Sequence, residues 1–190
     1  MRHAAGGQVF AANQSDLRIK PQPIRATGSS PIEVLDHAFT GHDAAFMTTA
    51  YRVPDNDCQC VAPGTVAAKT RPISTLAVRS FITSVANGGT LPAGRSVELK
   101  GIAFDAGAGI RKVEVSVDGG LQWREAVLGK DLGRFSFREW KAMVTFARKG
   151  KAVLMVRATN RNGEGQPAIA DWNPAGYRRH VIESTTVMIG

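Results

Sequence analysis

The feature that most limits how this chain can fold is a run of two-residue alternations, broken by glycine-rich turns, from about residue 70 to the C-terminus. Val97, Leu99 and Gly101 alternate with Ser96, Glu98 and Lys100, and Val113, Val115 and Val117 alternate with Lys112, Glu114 and Ser116. Successive side chains of an extended chain point to opposite faces, so each segment reads as a half-buried strand with one wet side. The pattern recurs in Trp140, Ala142, Val144 and Phe146 and in Leu154, Val156 and Ala158, and residues 181–189 close the chain with a β-branched run. With 77–83 and 123–128 added, about seven strands separated by turn signals predict an all-β, immunoglobulin-like sandwich.

Composition agrees with that reading. Twenty glycines and nine prolines in 190 residues favour strands joined by turns, and 43% apolar content is enough for a real core. Residues 1–30 hold Gly6-Gly7, Pro21-Gln-Pro23 and Thr27-Gly-Ser-Ser30 without sustained apolar periodicity, and read as an irregular leader. Residues 31–36 and 44–53 have short strand-like patterns that cannot bury an apolar side alone. The expected organisation is therefore a leader over 1–30, a connecting region over 31–70 and the sandwich over 71–190.

The net charge of +8 invites an anionic partner, but the 24 basic residues are scattered. The densest stretch runs from Arg134 through Arg138, Lys141, Arg148, Lys149, Lys151 and Arg157 to Arg161, with Glu139 its single acid. On neighbouring strands this set would make one positive face able to bind an anion or an acidic partner; the plainer reading is the solvated side of a sheet. No helix-turn-helix, zinc-finger or RNP-type pattern is present, so no nucleic-acid partner is expected. No stretch reaches the about 20 apolar residues that cross a bilayer, so no membrane partner is expected either. The first residues lack the apolar core of an export signal.

The most specific local signal is Val115-Ser-Val-Asp-Gly-Gly-Leu-Gln-Trp123. Asp118, Gly119 and Gly120 supply a tight hairpin, and Trp123 follows where it can fold back over the turn. A similar S-x-D-x-G-x-x-W pattern forms the Asp-box hairpin of sialidases, where it is structural. Ser116-Val-Asp-Gly-Gly-Leu-Gln-Trp123 also resembles the V-S-x-D-G-G-x-x-W segment in the C-terminal dimerisation domain of the sulfite oxidase family. Other segments fall in that family's order. Ala50-Tyr-Arg-Val-Pro54 resembles the end of the bacterial molybdopterin domain, and Val78-Arg-Ser-Phe-Ile-Thr83 the opening of the dimerisation domain. Ala158-Thr-Asn160 with Gln166-Pro167, then Trp172-Asn-Pro-Ala-Gly-Tyr177, resembles the approach to the final strand. The resemblance spans residues 31–190.

It implies a sandwich that forms a homodimer, in an oxidoreductase whose molybdenum-molybdopterin is held by a separate domain. That catalytic domain would precede residue 31, so no cofactor-binding, metal-binding or catalytic residue is expected in this chain, which alone is expected to be inactive. A molybdopterin-domain subunit is then a second possible partner. By family analogy the enzyme is periplasmic. Arg79, Trp172, Asn173, Gly176 and Arg178 are the expected contact residues, because loop and strand-end positions of a rigid sandwich are available for association. Animal members carry W-N-x-R-G at the sulfite pocket; Ala175 stands here in place of that arginine, which fits the bacterial type better.

Cys58 and Cys60 are the only cysteines. Their C-x-C spacing departs from that of structural zinc sites, so a site built with His37 and His42 is not expected. Neighbouring side chains on an extended chain diverge, which is read against a mutual disulfide and in favour of free thiols. No paired carboxylates, nucleophile elbow or phosphate-binding loop appear.

Overall fold

The structure is a computed structural model that describes Asp36 and residues 49–190. The expected leader, the 31–36 segment as a strand, residues 44–48 of the 44–53 segment and both His37 and His42 lie outside the described residues. The chain divides into two compact units, one of Met1–Thr75 with Asn173–Tyr177 and one of Leu76–Trp172 with Arg178–Gly190.

In the first unit β1 (Arg52–Pro54) pairs antiparallel with β2 (Thr70–Pro72). The loop between them contains a correction to the sequence reading: Cys58 and Cys60 are joined in a disulfide. Residues i and i+2 of an extended segment share a face rather than diverge. Here Gln59 also adopts φ 55°, and the two Cα atoms stand 5.1 Å apart. The Asn56 side chain braces the turn, donating to the Cys60 carbonyl (2.9 Å) and accepting from the Cys60 amide (3.2 Å).

The second unit is an immunoglobulin-like β-sandwich. One sheet has the order β3 (Arg79–Ile82), β5 (Ser96–Phe104), β9 (Arg138–Thr145), β8 (Val127–Leu128). The other has the order β4 (Thr90–Leu91), β11 (Glu183–Ile189), β10 (Gly150–Asn160), β6 (Ile110–Ser116), β7 (Arg124–Glu125). Neighbours pair antiparallel except β4, which runs parallel to β11. In immunoglobulin terms the first sheet is A-B-E-D and the second is built on G-F-C.

The inward members of each alternation form the core: Leu99 and Ala103 of β5, Val113 and Val115 of β6, Trp140 and Val144 of β9, Leu154, Val156 and Ala158 of β10, Val187 and Ile189 of β11. Trp140 is the largest fully buried side chain. Its indole N–H donates to Ser80 Oγ (3.0 Å), and that hydroxyl donates to the Ile102 carbonyl (3.0 Å), so the ring enters the core with its polar atom satisfied. The register places Trp140 opposite Gly101, where a Cβ would collide with the indole and the Phe81 carbonyl.

The strand expected over 123–128 is divided. Arg124–Glu125 pairs with β6 in one sheet and Val127–Leu128 with β9 in the other. Between them Ala126 is buried, and its amide donates to the Val113 carbonyl (2.8 Å). A small residue at the crossing lets the backbone pass close to the core.

The dense basic stretch is also divided. Arg138 and Lys141 lie on β9, Lys151 and Arg157 on β10, and these strands belong to different sheets. Arg138 and Arg161 both reach Asp131 Oδ2 (2.8 and 3.0 Å), and Arg157 is held by Glu114. The single positive face read from the sequence does not form.

Candidate functional site

The hairpin after β6 is built as its residues dictate. Ser116 Oγ is buried; it donates to Asp118 Oδ1 (2.7 Å) and accepts from the amides of Gly120 (2.8 Å) and Asp118 (3.3 Å). The Asp118 carboxylate also accepts from the Gln122 amide (3.0 Å). That amide bond, followed by the Ser116 hydroxyl, holds the Asp118 carboxyl below its usual range. Gly119 and Gly120 take φ of 74° and 95°, the left-handed region that favours glycine. Trp123 closes the turn through its ring N–H to the Gly120 carbonyl (3.0 Å).

Arg157 of β10 lies over the Trp123 ring, 4.2 Å from its centroid, and its guanidinium forks onto both oxygens of Glu114 (3.0 and 3.2 Å). Lys112 adds a second cation to Glu114 at 3.1 Å. The Arg157 hydrogen bond foremost, with Lys112 in support, lowers the Glu114 pKa. The hairpin, Trp123 and this ion pair cover the outer side of the β6–β10 region with a fully bonded polar network. They form a structural cap and bring no nucleophile or acid-base pair together.

The five expected contact residues are distributed as follows. Within the first unit, Asn173 is buried and uses its side chain on its own loop, donating to the Tyr177 carbonyl (2.8 Å) and accepting from the Tyr177 amide (3.0 Å). Gly176, at φ 67°, donates to the Asn173 carbonyl (3.0 Å) and completes that turn. The turn presents Tyr177, which stacks on Tyr51 with ring centroids 5.4 Å apart. Two motif segments read separately in the sequence, around Tyr51 and around Tyr177, thus meet in this unit. Within the sandwich unit, Arg79 of β3 donates to Glu183 Oε1 (2.9 Å), and Arg179 approaches the same carboxylate (3.3 and 3.4 Å). Trp172 is half-buried, and Arg178 takes φ 57°.

The sequence reading missed the outer face of the β3–β5–β9–β8 sheet. Phe81 and Phe104 meet edge to face at 6.3 Å, and Phe104 meets Phe137 at 5.4 Å. Their signal was present in the outward members of the same alternations, where Phe81, Ile102 and Phe104 stand at positions that polar residues usually fill.

Residues 70–182 match the family model described as the Mo-co oxidoreductase dimerisation domain, more than half of the chain. The chain belongs to this dimerisation-domain family. Among solved structures, this dimerisation domain is similar to the sulfane dehydrogenase SoxCD from Paracoccus pantotrophus, with a TM-score of 0.56 at 20% identity. The match covers 75% of this chain and 36% of that one, and at such identity it speaks to the fold. A structure of the fibronectin(III)-like modules of Clostridium thermocellum CbhA also aligns, over 64% of this chain and 54% of that one at 12% identity, with a TM-score of 0.38. A search of the curated proteins finds no match.

The family implies a molybdenum cofactor in its full-length enzymes. The described residues do not fit that group: both cysteines are tied in the disulfide and supply no thiolate. No three His, Cys, Asp or Glu side chains converge on a metal position among the described residues.

Proposed function

We propose that this chain is the association module of a sulfite oxidase-type molybdenum oxidoreductase, pairing with a second copy of itself while the cofactor is held outside it. The observation that carries the reading is the dimerisation-domain match over 70–182, which falls on the immunoglobulin-like sandwich. The chain covers 36% of the SoxCD chain it resembles, which supports a second, compatible reading: a longer or separate chain supplies the molybdopterin domain and completes an enzyme acting on a reduced sulfur compound. Binding of an anionic partner through one basic face loses its support, because the basic stretch is divided between two sheets. Arg79, Trp172, Asn173, Gly176 and Arg178 stay our candidates for contact with the second copy or with a molybdopterin domain, and Arg79, Asn173 and Gly176 also bond within their own units.

The test is the molar mass of the purified chain by light scattering over a range of concentrations. A species near twice 20.3 kDa is expected. A monomer at every concentration overturns the pairing. Stoichiometric molybdenum in the same preparation overturns the claim that the cofactor is held elsewhere.

A further inference from the structure

We infer that the outer face of the β3–β5–β9–β8 sheet is the surface on which the second copy packs. This rests on the pairing proposed above and says where it takes place.

Apolar exposure singles out this face. Phe137, Val127 and Met143 are 56%, 63% and 59% exposed, and half-buried Phe81, Ile102 and Phe104 adjoin them. The register puts all six on one side: Phe81 is opposite Ile102, Val127 is opposite Lys141, and Phe137, Lys141 and Met143 are alternate residues of one strand and its approach. Contiguous apolar exposure of this kind marks an association site. The outer face of the β11–β10–β6 sheet differs, since the Trp123 cap and the Arg157–Glu114 pair already cover part of it and Met188 is its one large apolar side chain near half exposure.

Charge selects a second copy as the occupant. On a chain of net charge +8, like can pack on like only where the charge cancels locally. The outward residues of β5 and β9 balance, with Glu98 and Glu139 against Lys100 and Lys141. The outward residues of β6, β7 and β10 keep one positive charge in excess, with Lys112, Lys151 and Arg157 against Glu114 and Glu125. Twofold packing of the balanced face can set lysine against glutamate, whereas two copies of the other face would bring like excess charge together.

Edge shape excludes the alternative of strand addition. The outermost strands of both sheets are short: β3 has four residues, and β8, β4 and β7 have two each. Such edges offer few free backbone groups to a new strand. The face itself consists of four strands of four, nine, eight and two residues, roughly 360 Å² of sheet at about 3.3 Å per residue and about 4.8 Å per strand. The aromatic and methionine side chains that project from it add to that area, toward the about 800 Å² per partner that a stable interface buries.

The experiment compares the wild-type chain with Phe137→Glu, Met143→Glu and, on the opposite sheet, Met188→Glu, by light scattering across concentration and by thermal melting to verify folding. The two variants on the proposed face should weaken association at least tenfold and leave a folded monomer, while Met188→Glu associates as wild type does. A mutation-free readout is the rate of methionine oxidation by hydrogen peroxide, which should fall at Met143 and not at Met188 as the concentration rises into the dimer range. A wild-type dimer that survives both substitutions, or whose Met143 stays as reactive as in the monomer, overturns this face and leaves the pairing intact. A wild-type chain that never dimerises overturns both.

Discussion

Gly101 shows how a single hydrogen in place of a methyl can hold a core together. The alternation marks it as an inward strand residue, a position where glycine is poorly suited on propensity. Its reason is the opposing Trp140 indole and the Phe81 carbonyl, which together fill the space a Cβ would need. Gly101→Ala should therefore destabilise the sandwich by roughly 1–3 kcal/mol, the range for overpacking a filled core. Chemical denaturation would read this directly, and a change within about 0.5 kcal/mol would mean that the indole moves aside without cost. Such a reason is not legible in sequence, because it lies in a register between residues 39 positions apart. The Cys58–Cys60 disulfide was illegible for a related reason, since its closure depends on the backbone turn at Gln59 as well as on the spacing of the two sulfurs.

Among the elements, the hairpin is the best-read part of the molecule and β7–β8 the worst. The sequence Ser116-Val-Asp-Gly-Gly carries the turn locally, because its hydroxyl, carboxylate and two glycines satisfy one another within five residues. Ser116→Ala should cost about 1–2 kcal/mol by leaving the half-buried Gly120 amide without its acceptor. It should also loosen the Trp123 cap, visible as a red shift and increased quenching of indole fluorescence. Full stability in that variant would mean that the glycines alone fix the turn. The division of 123–128 between two sheets has no such local signature. Val127 and Leu128 are as strand-like as any residues in the chain, and what separates them from Arg124–Glu125 is the room for Ala126 beneath the β6 backbone. The short strand β4 escaped notice because a two-residue parallel pairing with β11 leaves no periodicity to count.

For the whole molecule, the polar and apolar sides of the strands carry different information. The inward residues specify a sandwich, which is why the fold class could be read from alternation alone. The outward residues specify what the sandwich meets, and on one sheet they depart from the wet-face rule. Phe81, Ile102, Phe104, Phe137, Val127 and Met143 gain nothing for an isolated unit by standing outward, and their apolar area is removed from water only when something packs on them. If that partner is a second copy, pairing adds to the stability of the folded state and not to that of the unfolded chain, so the melting temperature must rise with protein concentration. For a dimer of sandwiches of this size the rise should be about 3 °C for each tenfold increase in concentration, set by the unfolding enthalpy of both copies. Phe137→Glu should abolish the slope while keeping a single cooperative transition. A melting temperature independent of concentration through the range where light scattering shows dimer would mean that the copies separate before they unfold, with the apolar face contributing to assembly and not to the survival of the fold.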